Sequence, residues 1–393
     1  MEIGKLSNVA IVDIDNVSSV SDFAKISGVD SIQYGLPLIL RLSISNDGDS
    51  WIPRVRMFSG TGVIDWGDGS PTEPVGVIVP SPHTYATAGT YDVTLTPDAG
   101  SRTFTIPVDI NDPNDSFDEQ VTEVLNFGDC QIGGFYFWKA LETIPLNGYL
   151  DLTNFWEEEL FRECRSFVGP TSMSGYATIT PTGTVMETAF ANNLLFNSPG
   201  LNDLDTSSVT KLEFTFFGCL VFNQPLDNWD VSSVTSMFAT FSFASVFNQD
   251  ISGWNVGSVT NTKKMFSFAS AFNQDISGWN VSNVTTMESM FLRATSFNQN
   301  LGAWRFQNTC DIQHFFAESG MSDANVALCL EGWDSVGQGT NVDARYMFQA
   351  TPSSNPPTPR TLSESTYPNA KTAYDNLIST YSWDFTGSFN WIA

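Results

Sequence analysis

The first residues that could do chemistry lie in two acidic turns. Asp65 and Asp68 flank Trp66-Gly67, and Asp47 and Asp49 flank Gly48. Carboxylates so closely spaced can hold a hard cation such as calcium through their oxygens. Asp and Gly also make tight turns unaided, because Asp bonds the backbone two residues on and Gly accepts positive φ. The turn reading is preferred, and no metal is assigned. Glu157-Glu158-Glu159 sets three carboxylates in a row. A glycosidase needs two at a fixed separation across a cleft, so this run reads as a solvated helix face. His83 and His314 are far apart. His83, two residues before Tyr85, reads as a hydrogen-bonding turn residue rather than a ligand. Cys130, Cys164, Cys219, Cys310 and Cys329 are odd in number, widely spaced and without a Cys-x-x-Cys pair. They are expected to be buried free thiols, not a zinc site or a disulfide framework. No nucleophile elbow, HExxH, P-loop or dinucleotide fingerprint occurs. No catalytic, cofactor-binding or metal residue is assigned, no cofactor is expected, and the chain is expected not to be an enzyme.

Charge and composition narrow the partners. Of 393 residues 41% are hydrophobic, enough for a substantial core. Acids outnumber bases 43 to 17, giving a net charge of -26. Such a surface repels phosphate backbones and anionic lipid, which excludes nucleic acid as an expected partner. No stretch of 18 apolar residues occurs, so membrane insertion is not expected. The first twenty residues show no positive segment followed by an apolar run, so export through a standard signal peptide is not expected.

Four segments follow along the chain. Residues 1–35 form an N-terminal arm with a loose internal echo, Ile3-Gly4-Lys5-Leu6-Ser7-Asn8-Val9-Ala10 and Ala24-Lys25-Ile26-Ser27-Gly28-Val29. Residues 36–110 alternate apolar and polar residues between Gly, Asp and Pro turns, the pattern of a small β-sandwich. The polar run Asn111–Phe117 marks a boundary. Residues 111–350 form a repeat region, and 351–393 a linker and cap, where Ala370–Trp383 reads as an amphipathic helix followed by an aromatic strand. The fold class expected is mainly β.

The repeat is the strongest signal. Phe-Asn-Gln recurs at 222–224, 247–249, 272–274 and 297–299, a step of 25. Trp229, Trp254, Trp279 and Trp304 keep the register, as do Phe216, Phe241, Phe266, Phe291 and Phe316. Cys219 fills a slot otherwise held by Ala244, Ala269 and Ala294. A fixed period of this length is the mark of a solenoid, whose strand-like coils stack about 4.8 Å apart. The Phe and Trp columns should be core and the Asn column a hydrogen-bonded ladder. A few Trp on an edge would be free to contact protein or carbohydrate.

Three resemblances add to this reading. The string Val63-Ile64-Asp65-Trp66-Gly67-Asp68-Gly69, with His83-Thr84-Tyr85 and Gly89-Thr90-Tyr91-Asp92-Val93, is similar to the PKD domain, an immunoglobulin-like module. The repeat over about 186–320, as in Phe272-Asn273-Gln274-Asp275-Ile276-Ser277-Gly278-Trp279, resembles the BspA-type leucine-rich repeat, or DUF285, with weaker coils expected from Val124 to Phe167 and at Tyr346-Met347-Phe348. The leader resembles the starts of phage structural proteins. Together they imply a virion surface protein, either a tail or baseplate adhesin or a capsid decoration protein. Its arm would dock on other virion proteins and its solenoid would meet a host-surface protein or glycan; a homo-oligomer is expected. A secreted bacterial surface adhesin and a glycan-degrading tailspike-type enzyme are the alternatives.

Overall fold

The computed structural model describes residues 38–48, 50–51, 56–59, 61–75, 82–98, 102–106, 121–126, 131–132, 186–335, 338–348 and 359–392. The expectations for the arm, Asp49, Glu157–Glu159, Cys130 and Cys164 fall outside these residues. The described chain is mostly non-helical, with small sheets and few helices, in keeping with a mainly β protein.

The N-terminal strands are β1 (Leu38–Ile44), β2 (Ser50–Trp51), β3 (Arg56–Ser59), β4 (Gly62–Asp65), β5 (Glu73–Val75), β6 (His83–Thr84), β7 (Gly89–Pro97), β8 (Arg102–Ile106), β9 (Val121–Asn126) and β10 (Gln131–Ile132). β1 forms because its apolar residues alternate: Leu40, Leu42 and Ile44 are buried while Ser43 is exposed. It lies between β7 and β9 in a five-stranded sheet of order β5-β4-β7-β1-β9, and β10-β8-β3 make a second sheet. β9 and β10 lie beyond the boundary expected at residue 110. β9 nevertheless pairs antiparallel with β1, and β10 pairs with β8. Val124, expected in a weak coil, is opposite Leu40 in this ladder. Pro, Asn and Asp end a strand without deciding whether the chain then leaves the sheet.

From residue 186 the chain winds in stacked coils. A parallel bridge joins each coil to the next through Lys211, Ser236, Asn261, Thr286, Asp311, Asp343 and Asp384. The coils contain almost no strand. After each bridge residue comes a run of tight turns, in which alternate amides bond the next coil: Leu212 to Ser236 O, Phe214 to Phe238 O and Phe216 to Thr240 O. The intervening amides close turns inside the coil, as Thr215 to Leu212 O and Phe217 to Phe214 O. The strand-like coils expected from the sequence are therefore turn ribbons. The reason is backbone handedness. Phe214, Ala239, Lys264, Ser289, His314 and Tyr346 all take positive φ, as do Phe243, Phe268, Arg293 and Glu318 four residues further on in their coils. Each such residue costs about 1–2 kcal/mol locally. The inter-coil bonds and the packing beneath must offset that cost, since the residues are not glycine.

Inside the stack run two columns of phenylalanine. Along the first, Phe216, Phe241, Phe266 and Phe291 are spaced 5.5–5.7 Å between ring centroids. Along the second, Phe222, Phe247, Phe272 and Phe297 are spaced 5.8–6.1 Å. Within a coil the two rings stack more closely, at 4.0 Å for Phe241–Phe247 and 3.8 Å for Phe266–Phe272. The ladder beside them uses asparagine. Asn273 Oδ1 accepts the Asn298 amide at 2.8 Å and Gln299 Nε2 at 2.9 Å, while the Asn273 amide donates to Asn248 Oδ1 at 2.9 Å. The same bonds recur one coil earlier, where Asn248 Oδ1 also accepts Gln274 Nε2 at 3.0 Å. Each repeat Trp is buried and donates its indole N–H to a carbonyl of the preceding coil, as Trp279 to Ile251 O at 3.1 Å.

Two helices interrupt the period at the C-terminal end. Helix α1 (Asp323–Ser335) replaces a coil segment yet keeps its contacts. Ser322 and Asn325 take over the bonds to Asn298, and Trp333 donates to Leu301 O as the repeat tryptophans do. Helix α2 (Pro368–Tyr381), over most of the segment expected to be helical, packs on α1. Strands β11 (Arg360–Ser363) and β12 (Phe389–Ile392) pair in parallel beyond it. Among the described residues no helix is long and apolar enough to cross a membrane.

Candidate binding surface

The chemistry-bearing residues of the N-terminal unit are spent on structure. Asp65 Oδ1 accepts the Gly67 amide at 3.0 Å, and Asp47 Oδ1 accepts the Ala88 amide at 2.8 Å. Asp68 uses both oxygens: Oδ1 accepts the Ser70 hydroxyl at 2.5 Å and Oδ2 meets His83 Nε2 at 2.8 Å. His83 in turn stacks on the buried Trp66, ring centroids 4.5 Å apart. A serine, a histidine and an aspartate are thus together, but not as a nucleophile and its base. Ser70 bonds the carboxylate instead of the imidazole, so His83 is not placed as its base. The turn that brings them together needs Gly67, at φ +77, where a Cβ would stand 2.6 Å from Asp92 O. Among the described residues no group of three or more His, Cys, Asp or Glu is placed to hold a metal ion.

Burial alone would raise the Asp68 carboxyl, but the hydrogen bonds from Ser70 and His83 outweigh it and lower it to about 2. A folded value below the ordinary 3.8 contributes stability that is complete above that pH and is lost as pH falls through about 2. Asp68→Asn should therefore melt below the parent at pH 5, and the gap should close as the pH approaches 2. Thermal melts across that range test it; a gap independent of pH would show that the carboxylate charge contributes nothing.

Cys219, Cys310 and Cys329 are free and buried. Burial pushes Cys310 and Cys329 up to about 12 and Cys219 higher still, so none is a nucleophile near neutral pH. Cys219 instead donates to Phe190 O at 2.9 Å. His314 is buried against Tyr346, ring centroids 5.8 Å apart. Carboxylates do share one column at Asp311, Asp343 and Asp384. Arg345 pairs with Asp343 at 2.7 Å and Asp384 at 3.6 Å. Asp311 is held above the usual carboxylate range, by burial first and then by the charges of Glu288 and Asp343.

The surface that varies is the outward side of the turn ribbon. From coil to coil the inward residues hardly change, whereas the outward columns read Glu213, Phe238, Lys263, Glu288, Gln313 and Gly218, Phe243, Phe268, Arg293, Glu318. These columns carry ion pairs between coils, Lys263 with Glu288 at 2.5 Å and Arg293 with Glu318 at 2.7 Å. The Arg293 guanidinium also sits over the Phe268 ring at 5.2 Å. Among the described residues the repeat tryptophans do not form the exposed edge that could contact a partner. Trp229, Trp254, Trp279 and Trp304 are 4% exposed or less, and the exposed ring is Phe243 at 41%. The signal for it was the column where Gly218, Phe243, Phe268 and Arg293 break the repeat.

A family profile described as "Mycoplasma protein of unknown function, DUF285" matches residues 158–261 and again residues 228–333. The coils are thus similar to that repeat family, as the Phe-Asn-Gln pattern implies. No curated protein and no solved structure matches the chain.

Proposed function

We propose that this chain is a non-catalytic virion surface protein: a tail or baseplate adhesin, or a capsid decoration protein, that displays a BspA-type leucine-rich-repeat solenoid. The observation that carries the binding role is the contrast between columns. Phe, Trp and Asn hold their register along the inner columns, while the outward columns change in charge, size and aromaticity along the stack. A surface free to vary over a fixed scaffold is how a repeat protein fits a partner. The N-terminal sheets, extended to Ile132 by β9 and β10, serve as a PKD-like sandwich spacer, and the partner of the ribbon is a host-surface protein or glycan. Placement on a virion rests on the leader, residues 1–35, whose apolar Ile3, Leu6, Val9 and Ile11 are too few for a core of their own and need a docking partner.

Mass spectrometry of purified virions should find the chain. Deleting residues 1–35 should leave the coil region's melting unchanged and abolish incorporation. Recovery of the protein from the bacterial envelope and its absence from particles would sink the virion placement in favour of a bacterial surface adhesin. The tailspike alternative would need turnover of a polysaccharide that Asp311→Asn abolishes.

A further inference from the structure

Of the large hydrophobic side chains exposed among the described residues, five lie together: Leu195, Leu220, Val221, Phe243 and Val246. They fall in two neighbouring strips of the first described coils. One strip, Gly218-Phe243-Phe268, grows from nothing to aromatic along the stack. The other, Leu220-Ser245-Ser270 with Val221-Val246-Ala271, shrinks from aliphatic to small. None of these nine residues is charged, in a chain of net charge -26, and the neutral zone stops at the Arg293–Glu318 pair.

We infer that this strip is the contact between two copies of the chain, related by a two-fold axis near Phe243 and Ser245. The symmetry follows from the order of the residues. A two-fold axis running along the stack between the strips exchanges them and keeps the coil order, so at each coil a bulky residue of one copy lies over a smaller one of the other. Phe268 meets Ser270 and Ala271 of the second copy, Phe243 meets Ser245 and Val246, and Leu220 and Val221 meet Gly218, each contact occurring twice. The small residues Gly218, Ser270 and Ala271 each leave room for the bulkier residue they face. Charge favours the same occupant. Two chains of this net charge repel least where both are neutral, and the strip is both uncharged and apolar on each. A basic partner would instead be drawn to the acidic remainder. The inference deepens the homo-oligomer expected from the sequence, gives this uncharged part of the ribbon to it and leaves the charged columns to the proposed partner; it does not require a virion, and it fails or stands on the isolated protein.

Sedimentation equilibrium on the full chain tests it. A reversible dimer is expected, and it should tighten as salt rises, because salt screens the repulsion between the acidic surfaces while leaving the neutral contact intact. Val246→Asp and Leu220→Asp should each weaken it at least about a hundredfold, since symmetry buries the unpaired charge on both copies. Both positions are exposed in the single chain, so the melting of each variant should match the parent and loss of folding can be told apart. Ser245→Cys, close to the axis, should give an interchain disulfide under oxidation, and Ser258→Cys, outside the strip, should not. A monomer at every concentration and salt, or a dimer untouched by both aspartates, would overturn the inference and leave the strip to a different protein.

Discussion

Trp279→Ala is expected to destabilise the coil region by about 3–5 kcal/mol. The side chain is 4% exposed, sits against Phe266 and gives its N–H to Ile251 O. Truncation opens a cavity the size of an indole and leaves a buried carbonyl without its donor. The stack relaxes poorly around such a cavity, because the coils above and below place Trp254 and Trp304 in the same column and hold the spacing. Trp279→Phe keeps a six-membered ring but loses the hydrogen bond and part of the buried volume, so it should cost less, about 1–3 kcal/mol. Denaturant unfolding followed by far-ultraviolet dichroism checks both. A Trp279→Ala midpoint equal to the parent's would mean that the tryptophan column is not part of the core.

Asn273→Ala is expected to cost about 2–3 kcal/mol, for a different reason. Little volume is lost. What disappears is one acceptor oxygen that serves the Asn298 amide and Gln299 Nε2 together. Both donors are partly buried, so water replaces the lost acceptor only in part. Asn273→Asp restores the acceptor and should recover part of the loss, which a packing role would not predict. A further signature separates the two variants. Cutting the ladder weakens one coil-to-coil interface while each coil's own core survives, so the transition should broaden, or split, instead of only shifting. A sharp transition at the parent's midpoint would show that the ladder carries no stability.

The sequence exposed the period and hid the conformation. Phe-Asn-Gln at a constant step locates the core columns because stacking places like on like, and that logic needs no knowledge of the backbone. The positive φ values at Phe214, Ala239 and Lys264 were not legible. No glycine marks them, and the bonds that hold them run to the next coil, so local propensity says nothing about them. The N-terminal strands were readable where one face is buried, as in β1, and the end of their sheet was not. β9 is joined to β1 by pairing across a long sequence separation, which turn residues at 111–117 do not encode. The exposed strip was the hardest to see. Phenylalanine in a repeat looks like core wherever it stands, and only the failure of Phe243 and Phe268 to recur in the other coils betrays them.

The ladder has one more property, and it concerns heredity. Every bond that Asn248 makes with Asn273 is made again by Asn273 with Asn298. Where the DNA encoding these coils is as self-similar as the protein, strand slippage during replication, or exchange between misaligned gene copies, would remove or insert whole coils in frame. The shortened protein closes the gap with bonds it already knew how to make; failure of a chain lacking residues 248–272 to fold would refute this. Length can then change between generations in units of one coil, and each coil carries its own outward residues. A lineage can rearrange its outward columns by copying, dropping or reordering coils, without waiting for point mutations to pass through misfolded intermediates.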